Sequence, residues 1–148
     1  MKIDISNINK ETFEQILIED CERCDIHLKM FTDALNLYKD TDAYNDYLNG
    51  YNTLISRKET NQRLISEMKT SDEIEINDNE LEHFKYALED NIYYSNSRLK
   101  DLCEGGMMYK IFEKHLINKD DFDKAINVSI EFENNLIECS NALLKLIF

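Results

Sequence analysis

Cys21-x-x-Cys24-x-x-His27 is the stretch of the 148-residue chain whose spacing most resembles a metal site. Thiolates and an imidazole at three-residue steps can converge on zinc, and a fourth ligand would have to come from Cys103, Cys139, His83 or His115. Zinc-binding Cys-x-x-Cys pairs usually lie on tight turns. Both thiols here coincide with an apolar helical stripe, where cysteine acts as a small buried hydrophobe, so packing is the favoured reading and no cofactor is expected. Glu80-x-x-His83 has the spacing of the carboxylate and imidazole pair of di-iron bundles. The second such pair is missing, because Phe112 stands three residues before His115.

Other chemistries lack their residues. There is no glycine-rich phosphate loop, no serine flanked by glycines and no His-Glu-x-x-His, and Asp40-Thr41-Asp42 lacks the glycine and final glutamate of a calcium loop. Arg23 and His27 are four apart, so the Arg-x4-His pattern of helical ribonucleases is absent. The acids lie scattered on polar helix faces, with no pair marked out for acid and base work. The chain reads as a non-enzyme.

Charge says more about partners. Thirty acids against 17 bases give −13, which disfavours direct binding of nucleic acid and favours a protein partner with a basic surface. Two stretches are the candidate contact surfaces. One is the tyrosine face Tyr44, Tyr47 and Tyr51 beside Asp40, Asp42 and Asp46, since phenols bury large area while keeping a polar tip. The other is the acidic run Asp72, Glu73, Glu75, Asp78, Glu80 and Glu82. Carboxylates and phenols together also suit imitation of a nucleic acid. Arg57, Lys58 and Arg63 form a basic patch, read as a solvated face pairing with Glu59 and Glu67.

The elements that must position these residues are helices. With no proline and three glycines the chain has little material for turns, which favours an all-α fold: a single antiparallel bundle over residues 1–148, of four long helices and one short. The first helix, Lys10 to Asp40, is expected to be central. Its seam is Leu17, Cys21, Cys24, Leu28, Phe31, Leu35 and Tyr38, capped by Asn7 or Asn9 and widened by Phe13, Ile16, Met30 and Leu37. A second runs from about Asp42 to Lys69. Its polar stretch Ser56 to Arg63 implies either projection past the core or a break near Gly50. Glu73 to Ile76 alternates as a brief strand would, and Asn79 with Glu82 has capping-box spacing for a third helix along Leu81, Phe84, Leu88, Ile92, Leu99 and Leu102, stopped by Gly105-Gly106. A short helix is expected over Met107 to Ile117. The last, capped by Asp120 or Asp121, carries Ala125, Val128, Phe132, Leu136, Cys139, Leu143 and Leu146, and its strand-like alternation from Ile126 to Glu133 is set aside. The apolar end at Leu143, Leu146 and Phe148 is either packed or covered by a second copy.

No run approaches the roughly 18 apolar residues of a membrane span, and Met1 to Asn9 has no signal-peptide core, so a cytoplasmic protein with reduced thiols is expected. In size and charge the chain resembles compact acidic helical proteins that block nucleic-acid-handling enzymes, phage-encoded antagonists of bacterial defence among them. That resemblance implies an inhibitor or regulator acting by occlusion. Two other readings stand beside it: a bundle holding a metal or small ligand through Cys21, Cys24 and His27, and a structural homodimer.

Overall fold

A chain so poor in turn-forming residues folds as helices. The computed structural model describes residues 1–116 and 118–148. Among these the order is β1 (Lys2–Asp4), α1 (Lys10–Leu37), α2 (Tyr44–Met68), β2 (Glu73–Glu75), α3 (Leu81–Asp101), α4 (Met107–His115) and α5 (Lys119–Ile147). The fold class is all-α. Two compact units divide the chain, Met1–Ala87 and Leu88–Phe148, and α3 begins in one and continues into the other.

In the first unit α1 starts where the Asn9 side chain accepts the Thr12 N–H at 3.0 Å. It ends before Asp40, with the Tyr38 N–H bonded to the Ala34 carbonyl. α2 runs antiparallel to it: Glu14 lies by Lys69, Asp20 by Arg57 and Phe31 by Tyr47. Gly50 does not break α2. The Phe31 ring occupies the space a Cβ would need there, so this glycine permits a close approach. β2 forms as its alternation predicts, and its partner β1 comes from Lys2-Ile3-Asp4-Ile5, which alternates in the same way. Their register pairs Ile3 with Ile74, both buried, while Lys2 bridges to Glu73 at 3.0 Å on the open side.

The core of this unit comprises Ile3, Ile5, Phe13, Ile16, Leu17, Leu64, Met68, Ile74, Ile76, Phe84 and Ala87, with Phe13 edge-on to Phe84 at 5.9 Å. It ends abruptly, for no residue from Asp25 to Glu59 is buried. The α1–α2 hairpin therefore continues past the core of its unit as a two-helix arm. Met30 and Leu37, expected to widen the apolar face, are 63% and 74% exposed, and Ile26 is 63% exposed. They sit two residues out of step with Cys24, Leu28 and Leu35, which at about 100° per residue is the opposite side of the helix.

The polar stretch Ser56 to Arg63 does not break the helix, and it spans the base of the arm, with Ser56 to Glu59 above the core and Thr60 to Arg63 beside it. Thr60 and Asn61 are buried and Arg57 turns inward to Asp20, so this part of α2 needs no apolar side chains because it faces a buried carboxylate.

In the second unit α3 and α5 are antiparallel, joined by Asn91 to Ser140 and by Arg98 to Glu133. Leu136, Cys139 and Leu143 are buried, whereas Val128, Phe132 and Leu146 of the same predicted stripe are exposed. α5 is helical throughout, so its strand-like alternation is not realised. Its cap is Asn118, which accepts the N–H groups of Asp120 and Asp121; those carboxylates occupy the first turn, where they favour the positive end of the dipole. Gly105 takes the left-handed conformation, φ +84°, just beyond the end of α3. Ile117, the expected end of the short helix, lies outside the described residues. No helix among them is long and apolar enough to cross a membrane.

Candidate functional site

Among the described residues each unit holds one deeply buried carboxylate facing an arginine across a helix pair. In the first it is Asp20, fully buried on α1. Its Oδ1 accepts from the Nη2 atoms of Arg57 and Arg23, and its Oδ2 accepts from Arg57 Nε at 2.8 Å and Asn61 Nδ2 at 2.8 Å. Four donors fill the acceptor capacity of a carboxylate. Burial by itself would raise the Asp20 pKa, but Arg57, the Asn61 amide and Arg23 together outweigh it and hold the group below the usual carboxylate range.

In the second unit the carboxylate is Glu133 on α5, 6% exposed. Its Oε1 accepts from Arg98 Nε at 2.7 Å, and Arg98 also donates to Ser95. The second oxygen, Oε2, is buried and has no hydrogen-bond partner. Glu133 is one of the residues around a cavity of about 390 Å³ bounded by Leu102, Met107, Met108, Val128, Ser129 and Phe132, with Arg98 and Asp101 at the polar end. The site thus joins an apolar trough to one unsatisfied acceptor.

A second cavity, of about 530 Å³, lies in the first unit and is lined by Ser56, Glu59, Thr60, Arg63, Asn79, Glu80 and His83. It contains hydroxyls, acids and an imidazole, the ingredients of acid and base chemistry. Their connections are of another kind. Thr60 Oγ1 donates to Glu80 at 3.3 Å, and Glu80 is already bound by Arg63 Nη2 at 2.6 Å and by the Asn77 N–H at 3.0 Å, while the Nδ1 of His83 is buried without a partner. A nucleophile needs a base within hydrogen-bonding reach. In this cavity the hydrogen bonds of Thr60 and Arg63 tie a hydroxyl to a carboxylate that a cation neutralises. Glu80 also reaches back to the N–H of Asn77, three residues earlier, and closes the turn there.

Comparison with protein-family models, with curated proteins and with solved structures finds no match. The reading of the site rests on its own geometry.

The residues singled out in the sequence are placed as follows. Cys24 is buried, Cys21 half-buried and His27 exposed, and among the described residues no group of three or more histidine, cysteine, aspartate and glutamate side chains is arranged to hold a metal ion. Burial pushes the Cys24 thiol up to about 11, and burial does the same to Cys139. Tyr44, Tyr47 and Tyr51 are half-buried. Tyr47 stacks on Tyr38 with centroids 5.1 Å apart and meets Phe31 edge-on, so this ring belongs to the seam within the arm. Asp40, Asp42 and Asp46 are exposed around the arm's turn.

The acidic run is partly consumed internally: Asp72 pairs with Lys10, Glu73 with Lys2 and Glu80 with Arg63, and Glu82 accepts from the Tyr86 hydroxyl at 3.2 Å, whereas Glu75 and Asp78 stand exposed. Arg63 does pair with Glu67, as the basic patch implies, but Arg57 turns to Asp20 and Lys58 to Asp25. Leu143 is fully buried and cannot meet a second copy, while Leu146 and Phe148 are exposed.

Reading the apolar residues alone passes over Asp20, Arg98 and Glu133. The signal lies in the spacing: Phe13, Leu17, Asp20 and Cys24 keep helical steps of four, three and four, as do Ser129, Glu133, Leu136 and Ser140.

Proposed function

We propose that the protein is a non-enzymatic binding module that occludes another protein, with the α1–α2 arm as its recognition element. The observation that carries this reading is the arm itself. Soluble proteins seldom leave adjacent large apolar side chains uncovered on one helix face without a partner to cover them, and Ile26, Met30 and Leu37 form such a face. The exposed carboxylates Asp33, Asp40, Asp42 and Asp46 lie around it or at the arm's turn. The complementary surface is an apolar groove rimmed by lysine and arginine.

The net charge of −13 supports a basic partner of the nucleic-acid-handling kind, and size and charge together suit an inhibitor of the phage anti-defence type working in the cytoplasm. Glu75 and Asp78 are the members of the acidic run left to contribute, and Tyr44 and Tyr51 lie within the arm. A homodimer is the second reading, favoured by exposed Leu146 and Phe148 at 53% and 58%.

The test is affinity capture from a host lysate using the wild-type chain and an Ile26→Asp, Met30→Asp, Leu37→Asp triple variant, with light scattering on both. A basic protein held by the wild type, released by added salt and lost by the triple variant at unchanged melting temperature is the expected result. Retention by both chains alike would overturn the role of the arm, and a wild-type dimer dissociated by Leu146→Asp would establish the second reading instead.

A further inference from the structure

The cavity at the Arg98–Glu133 pair belongs neither to the arm nor to the acidic surface, and it has the features of a small-ligand site. Its volume of about 390 Å³ falls in the range of small-molecule pockets, about 300–1,000 Å³. Its walls are side chains that remain substantially open: Met107 is 63%, Val128 56% and Phe132 45% exposed. Methionine is an adaptable lining, since its unbranched thioether refits to ligands of different outline.

The decisive feature is Glu133. Its side chain is 92% buried, yet Oε2 has no donor, although buried carboxylate oxygens in folded proteins are almost always hydrogen-bonded. Arg98 approaches the other oxygen through Nε and donates an Nη2 hydrogen to Ser95, and Glu133 is itself one of the residues that line the cavity. Asp20 shows that this chain can saturate a buried carboxylate. The unsatisfied acceptor at Glu133 is therefore a local property of this cavity.

We infer that the second unit binds a small organic amine, protonated at neutral pH, whose ammonium donates to Glu133 Oε2 and whose apolar body lies between Met107, Met108, Val128 and Phe132. Charge selects the class. The polar end holds one guanidinium and two carboxylates, Arg98, Glu133 and Asp101, so a monocation leaves it neutral while an anion adds to an existing excess. A neutral alcohol can supply the hydrogen bond without correcting the charge. The amine meets both requirements.

Three matched probes test this on the full-length chain by calorimetry and amide-shift titration: n-hexylammonium, n-hexanol and hexanoate. The expected result is saturable binding of hexylammonium with shifts at Met108, Val128 and Phe132, hexanol weaker by about tenfold or more, and hexanoate without effect. Glu133→Gln should lower hexylammonium affinity by about tenfold or more at unchanged melting temperature. Should that variant fail to fold, Val128→Arg, at an exposed wall position remote from the ion pair's hydrogen bonds, should abolish binding. Equal affinity for all three probes, preference for hexanoate, or no saturable binding of hexylammonium would each overturn the assignment.

Discussion

Asp20 and Glu133 occupy matching situations in the two units and are solved differently. Each sits at a seam position of its helix, is buried, and faces an arginine on the antiparallel neighbour. Asp20 accepts hydrogen bonds on both of its oxygens, four in all from three side chains, whereas Glu133 keeps one buried oxygen without a partner and lines a trough. A buried ion pair is weak support for stability in itself, because desolvation offsets much of its attraction unless every remaining lone pair is used. The contrast therefore separates a carboxylate that fixes how two helices register from one that retains binding capacity.

The widest gap between them should come from truncation. Asp20→Ala removes the buried anion that binds Arg23 and Arg57, whose side chains are only 15% and 14% exposed, and should destabilise the chain by about 3–5 kcal/mol in urea unfolding. A loss under about 1 kcal/mol would mean that the Asp20 cluster is dispensable and the comparison fails.

Acidification gives the next largest effect. The folded Asp20 carboxyl is held below its ordinary value near 3.9, so its stabilisation is complete above about pH 4 and fades as pH falls through the lower folded value. Wild type should therefore lose stability more steeply than Asp20→Asn below about pH 4, and the two melting curves should converge there. Parallel curves would remove Asp20 from the acid limb.

The smallest effect is expected at the other site. Glu133→Met replaces a half-satisfied carboxylate by an apolar side chain of similar length and leaves Arg98, with a side chain 37% exposed, able to reach water. The change should stay within about 1.5 kcal/mol in either direction. A loss as large as that of Asp20→Ala would show Glu133 to be structural.

The helices were legible because their apolar periodicity is long, and so were the Asn9 cap and the turn at Gly105. What escaped has a common cause. On α3 the sequence Leu81, Phe84, Leu88, Asn91, Ser95, Arg98 and Leu102 alternates steps of three and four without a gap, but three of its members are polar. A search for apolar residues drifts onto Ile92 and Leu99 instead. Asn91 and Ser95 become core residues, and Arg98 an ion-pair partner, only once α5 presents Ser140 and Glu133 at the complementary heights, which is a tertiary fact. The arm failed to announce itself for the reverse reason: its seam is as apolar as a core helix, and nothing in α1 alone tells that only α2 will cover it.

That seam also frees the arm from the size of the domain beneath it. Since nothing between Cys24 and Thr60 is buried, a heptad could be taken out of or added to both helices together, altering the length by about 10 Å while the lower packing stays intact. Reach is then a dimension that evolution or an engineer can tune in whole turns, and the tip at Asp40 to Asp46 can be carried to targets of different depth without redesigning the foundation.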